Sequence, residues 1–129
     1  MAKKDRWFLL VIHLDKTEMM QEILEVFTKN GVSGCTIFNT KGVGHTHFQD
    51  SDAPLIASIK RLMGADTDYN KTIFSVIDGK DVLEKTMIGV EEVVKDFCEP
   101  DIGLMYAIPL LYVRGYRVET GDDDYECKI

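Results

Sequence analysis

Cysteine is scarce in this chain of 129 residues, and the three present, Cys35, Cys98 and Cys127, stand far apart. An odd number at such spacings excludes a disulfide framework, and no Cys-x-x-Cys pair offers a metal site. Cys35 and Cys98 read as small core residues, and Cys127, in a polar stretch, as exposed. Basic residues are also short: 15 Lys and Arg against 22 Asp and Glu leave a net charge of −7. A phosphate backbone would be repelled by that balance, which argues against nucleic acid as a partner. A small nucleotide is not excluded, since one or two local cations and backbone N–H groups can hold it. Long apolar runs are missing too; nothing approaches the ~18 residues that would span a bilayer. The opening MAKKDRWFLLVIHLDK has a basic start but a short apolar run and no small-residue cleavage site, so a cytoplasmic protein is expected. Also absent is any credible catalytic constellation: no nucleophile elbow, no P-loop, no carboxylate pair in an apolar setting.

What is present is enough for one domain. Hydrophobic residues make up 45% and charged ones 29%, the balance of a soluble globular protein rather than a disordered chain. Trp7 to His13, WFLLVIH, reads as a strand covered on both faces. Asp15 or Thr17 is placed to cap a helix carrying Met20, Ile23, Leu24 and Phe27 on one side, stopped at Asn30-Gly31. Cys35 to Lys41 and Lys71 to Ile77 read as further strands, the latter followed by an Asp78-Gly79 turn. Asp81 is placed to cap a second helix with Leu83, Met87, Val90, Val94 and Phe97 on one face, ended by Glu99-Pro100. Ile102 to Ile108 is a fourth strand, expected to stop or bulge at Pro109, and Leu110 to Val118 offers one more short edge strand. Residues 1–118 would then be one domain, with 119–129 a mobile acidic tail.

The order β-α-β-β-α-β predicts an α+β fold, the ferredoxin-like sandwich of an antiparallel four-stranded sheet with both helices on one face. The strands nevertheless carry apolar residues at both parities, as in Trp7, Leu9 and Val11 against Phe8, Leu10 and Ile12. The uncovered face needs a partner, and a second copy is the simplest, so a homo-oligomer is expected. Strands two and three of this topology form a hairpin, whose loop usually holds ~2–5 residues. Here 42–69 intervenes, 28 residues, which makes that connection the first functional candidate. Ser51-Asp52-Ala53-Pro54 starts a helix within it, about 52–64, with Leu55, Ile56, Ile59, Leu62 and Met63 on one side. That apolar stripe fits packing on the protein's own oligomer, or docking on a partner protein or a membrane surface. Gly42-Val43-Gly44 at the strand end would let backbone N–H groups approach a phosphate; a tight bend is the plainer reading. His45 and His47 lie two apart and would face one metal if on a strand, but no third ligand has convincing spacing, so no metal is expected. His13, at a strand end, reads as a satisfied or rim histidine.

Several of these segments together resemble one family. GVSGCTIFNTKGVGHT, residues 31–46, is similar to the segment of PII signalling proteins that ends their second strand and enters their long T-loop, with Gly34, Thr36, Lys41, Gly42 and Gly44 matching. The resemblance covers about residues 6–117. It implies a trimer of ferredoxin-like subunits, an adenine nucleotide bound between subunits, and a loop over 42–69 that docks on a transporter or enzyme, as in nitrogen regulation. The implied ligand-binding residues are Thr36, Gly42, Val43, Gly44, Gly103, Arg114 and Arg117. The family's phosphate-binding B-loop is absent: CEPDIGLMY, residues 98–106, keeps only Gly103 and sets Leu104 where a lysine belongs. Of the paired arginines after the fourth strand, Arg117 matches one, Gly115 stands at the other, and Arg114 is a shifted cation. With so few cations, AMP, ADP or cyclic AMP fits as effector better than ATP, and no cofactor is required. The resemblance implies no enzyme activity. Two alternatives share the fold: a trimer similar to CutA-type metal-binding proteins, with His45 and His47 as ligands, and a small ferredoxin-like enzyme using His13.

Overall fold

Six consecutive apolar residues cannot alternate between core and solvent, so the segment starting at Trp7 has to lie inside a sheet with cover on both faces. The computed structural model places it in the middle of a four-stranded sheet, with both helices over one face only. It describes residues 6–42, 70–121 and 124–128, with side chains through Val118. The elements run β1 (Trp7–Leu14), α1 (Met20–Lys29), β2 (Thr36–Thr40), β3 (Asn70–Asp78), α2 (Lys80–Val94), β4 (Gly103–Leu110), β5 (Tyr116–Gly121) and β6 (Asp124–Lys128). The main sheet has the order β2-β3-β1-β4, and every neighbouring pair is antiparallel. This is the α+β ferredoxin-like arrangement expected from the sequence.

One parity of β1 supplies the core. Phe8, Leu10, Ile12 and Leu14 pack with Ile73 and Ile77 of β3 beneath Ile23 and Phe27 of α1 and Leu83, Val90 and Val94 of α2. The two helices pack closely because Gly89 has no side chain: a Cβ there would lie 2.6 Å from Val26 Cγ1. Thr86 is fully buried on α2 and its hydroxyl has no hydrogen-bond partner among the described residues. A hydroxyl in that position costs free energy that an isosteric methyl would not. Thr86→Val is therefore expected to leave stability unchanged or raise it by about 1 kcal/mol, read from the urea midpoint at constant slope.

Several local expectations are corrected. Neither Asp15, Thr17 nor Asp81 caps a helix: a 3-10 turn over Thr17–Met19 leads into α1, and Gly79 at φ +103° precedes α2. The Gly79 N–H instead donates to the Arg6 carbonyl at 2.7 Å, fixing this turn to the start of β1. Arg6 adds a two-pronged pair with Asp78, at 2.7 and 3.1 Å, which pushes the guanidinium pKa further up. The second helix ends at Val94, ahead of Glu99-Pro100, because Lys95 turns into a left-handed conformation, φ +76°. Phe97 still packs on the core from beyond the helix.

Proline does not interrupt the fourth strand. Pro109 stays in register opposite Phe8 and β4 continues to Leu110. The strand lies at the sheet edge, where a residue turned away from its one neighbour needs no N–H. Leu110 to Val118 adds no edge strand to this sheet. Instead β5 pairs with β6 as a separate two-stranded unit, so the backbone of the expected acidic tail is largely a hairpin. Its first residue, Tyr116, meets the Trp7 ring edge-on at 4.9 Å. Cys35 and Cys98 are exposed rather than core residues. Cys35 leads into the edge strand β2, and Cys98 sits in the turn after α2, its N–H donating to Asp96 Oδ1. Partial burial of the thiol itself still pushes the Cys35 pKa up.

Candidate functional site

The other parity of the sheet faces away from both helices. Phe38, Leu104, Tyr106 and Ile108 on this face are exposed, with Leu104 at 57%. Two clefts open along it.

The first, a cavity of about 740 Å³, lies where β1 and β2 end and β3 and β4 begin. Gly42 and Gly103, both expected at a ligand, line it together with Lys41, His13, Thr40 and Leu104. Gly103 is required by packing before any ligand is considered: at φ +147°, a Cβ would lie 2.0 Å from the His13 carbonyl oxygen. Leu104 does stand in the cavity wall, where the resemblance sets a lysine in relatives.

A polar chain crosses the floor of this cleft from strand to strand. Tyr106 of β4 meets His13 Nε2 at 2.8 Å, His13 Nδ1 meets Thr72 Oγ1 at 2.9 Å, and Thr72 Oγ1 meets Thr40 Oγ1 at 2.7 Å. The Thr40 hydroxyl donates to the Asn70 carbonyl at 3.5 Å. Each hydroxyl has one hydrogen to give, so the direction propagates. With the Thr40–Asn70 contact at the long limit for a hydroxyl, the hydrogens run either from Tyr106 toward Thr40 or from Thr40 toward Tyr106, according to the tautomer of His13. His13 is thus a satisfied histidine, as expected. Both its nitrogens are engaged inside the protein, so it is not poised as a free base.

The second cleft, about 510 Å³, lies at the other end of β2 and holds Thr36, Arg114 and Arg117, with Ser33, Gly34 and Cys35. Arg114 donates to the Val113 carbonyl at 3.0 Å and lies 5.9 Å from the centre of the Tyr112 ring. Phe74 lines both clefts and packs edge-on against Phe38 at 4.8 Å. One chain therefore gathers the expected ligand residues into two groups and does not unite them. Val43, Gly44, His45, His47 and the 52–64 helix lie outside the described residues. Among the described residues, no three His, Cys, Asp or Glu side chains are grouped to hold a metal, and no helix is long and apolar enough to cross a membrane.

No protein-family model matches the chain, and no curated protein matches it. Solved structures do. The B. subtilis GlnK-ATP complex superposes over 87% of this chain and 88% of its own, with a TM-score of 0.60 at 13% identity. The fold is a PII fold. Arabidopsis thaliana PII bound to citrate matches 82% of this chain and 78% of its own, with a TM-score of 0.55 and 15% identity. CPII from Thiomonas intermedia K12, bound to ADP and bicarbonate, matches 81% and 85%, with a TM-score of 0.53 and 17% identity. Within the PII-like fold, the residues that sequence reasoning missed are Thr40, Thr72 and Tyr106. Their alternation along the strands matches His13, but only the pairing register brings four strands' worth of side chains into one line.

Proposed function

We propose that this PII-like chain is an effector-binding signalling protein that assembles through the uncovered sheet face, as a trimer. The effector, an adenine nucleotide of low charge such as AMP, ADP or cyclic AMP, sits where the glycine cleft of one copy meets the arginine cleft of the next. One observation carries this reading: Gly42 and Gly103 line one cleft, Thr36, Arg114 and Arg117 another, and both open on a sheet face where Phe38, Leu104, Tyr106 and Ile108 are exposed. Small anionic ligands in the named relatives, citrate, ATP, and ADP with bicarbonate, support a ligand of this kind. In this reading the 42–69 connection answers to the ligand and touches a partner protein, a transporter or an enzyme, in the cytoplasm. Nitrogen regulation is the process the resemblance favours.

Thermal unfolding against ATP, ADP, AMP and cyclic AMP tests the reading. A ligand at 100 times its dissociation constant should add ~2.7 kcal/mol of stability, a shift of several degrees. Arg117→Ala should weaken the phosphate-bearing ligand by ~1.5–3 kcal/mol, the range of a hydrogen bond to a charged group. Absence of a shift with every nucleotide would overturn the effector reading, and a shift with divalent metal alone would move the site to His45 and His47. An unchanged affinity in Arg117→Ala would remove that residue from the site.

A further inference from the structure

The line of hydroxyls and imidazole that crosses the sheet joins two different surfaces. Its Thr40 end, with Thr72 and His13, stands in the wall of the glycine cleft. Its Tyr106 end stands outside that wall, on the uncovered sheet face, and is 38% exposed. The interior links are short, 2.7 to 2.9 Å, while the outermost contact, from Thr40 to the Asn70 carbonyl, is loose at 3.5 Å. A ligand atom in the cleft can therefore take Thr40 from Asn70 at little cost.

Two arrangements of the same hydrogens satisfy the interior links. In the first, Tyr106 donates to His13 Nε2, Nδ1 carries the ring hydrogen and donates to Thr72, Thr72 donates to Thr40, and Thr40 turns its hydrogen to Asn70 or into the cleft. In the second every link is reversed. Thr40 donates to Thr72, Thr72 to Nδ1, Nε2 carries the ring hydrogen and donates to Tyr106, and Tyr106 turns its hydrogen out from the face. No hydrogen is gained or lost between the two: the hydroxyls rotate, and the ring gives one proton to water and takes one back on its other nitrogen. The two ends are opposite in what they offer. When Thr40 gives the cleft a hydrogen, Tyr106 gives the face a lone pair, and the reverse.

We propose that this line is a two-state relay that couples the glycine cleft to the sheet face, with the tautomer of His13 as its state. A ligand that presents an acceptor to Thr40 selects the first arrangement and withdraws the Tyr106 hydrogen from the face. A ligand that presents a donor selects the second and supplies that hydrogen. By linkage, a neighbour on the face that accepts from Tyr106 opposes an acceptor in the cleft by the same factor. The coupling needs no movement of the backbone. Its use by a nucleotide rests on the site proposed above; the relay itself stands on the strand geometry.

The test is nitrogen NMR of His13 in the full chain at about pH 8.5, where an ordinary imidazole is neutral and its two tautomers are distinguished. Both should be populated in the unmodified chain, within about tenfold of one another, the range that one hydrogen bond spans. Thr40→Val takes away the acceptor of Thr72, so Thr72 turns to Nδ1, and the ratio should move toward the Nε2–H form by about threefold or more. AMP, whose phosphate and ring nitrogens are acceptors, should move the unmodified chain the other way by about threefold or more, and should leave the ratio in Thr72→Val unchanged, because the line is cut there. An unchanged ratio in Thr40→Val would overturn the relay, whether or not AMP binds. A ratio that AMP leaves unchanged while calorimetry shows it bound would overturn the coupling and leave the nucleotide site standing. Absence of AMP binding would overturn the nucleotide site, and the relay would then stand or fall on Thr40→Val.

Discussion

Replacing Gly103 by alanine should destabilise the protein by about 3 kcal/mol or more, because the added methyl has nowhere to go. A Cβ would lie 2.0 Å from the His13 carbonyl oxygen, 3.1 Å from its carbon and 3.2 Å from Leu14 Cα. All three atoms are backbone, so no rotamer change relieves the clash. β1 is held on both sides by β3 and β4. The start of β4 would have to lift away, opening the Leu14–Gly103 pair and the 2.8 Å bond from the Asp15 N–H to the Ile102 carbonyl. Chemical unfolding of Gly103→Ala beside Gly115→Ala separates the causes. Gly115 also has positive φ, +84°, but a Cβ there meets nothing within 4 Å. It should cost only the left-handed backbone penalty, roughly 1–2 kcal/mol. Equal losses in the two variants would refute a steric role for Gly103.

A single carboxylate on the bare sheet face should disperse the proposed assembly. Ile108 is 44% exposed in one chain, so Ile108→Asp should change the stability of an isolated subunit by no more than ~0.5–1 kcal/mol. In an assembly closed through this face the same side chain would be desolvated with no partner, at a cost of several kcal/mol at each interface. Sedimentation velocity should show a species of subunit mass for Ile108→Asp and a trimer for the unmodified chain. Ile88, exposed on α2, is the matched control, and Ile88→Asp should sediment like the unmodified chain. Were Ile108→Asp to keep its partners, the copies would not pack through this face.

The architecture was legible because its signals are local and periodic. The WFLLVIH run has no polar interruption, the spacing of Ile23 to Phe27 and of Leu83, Val90 and Val94 is helical, and turns separate them. The α+β topology follows from their order. Helix ends were read less well, because Asp15, Thr17 and Asp81 have capping side chains but the chain enters α1 through a 3-10 turn and α2 through Gly79. The exposure of Cys35 and Cys98 was hidden for another reason: cysteine composition says nothing about whether a position falls at an edge strand or in a turn. The glycines and arginines of the candidate site could be named from a family pattern, yet their division between two clefts is a property of register and curvature. The Tyr106–His13–Thr72–Thr40 chain joins residues up to 93 positions apart. No spacing rule connects them.

The unbroken passage of β4 through Pro109 has a bearing on solubility. Among the described residues β4 borders the sheet and is paired on one side only, so its outer margin is a template on which a foreign strand could be laid. Proline offers that margin a ring instead of a hydrogen-bond donor, and so spoils the template without disturbing the pairing with β1. A chain with a bare apolar face can then associate face to face while being discouraged from growing edge to edge into fibrils. In the proposed assembly Pro109 would in this way favour a closed oligomer over an open-ended one.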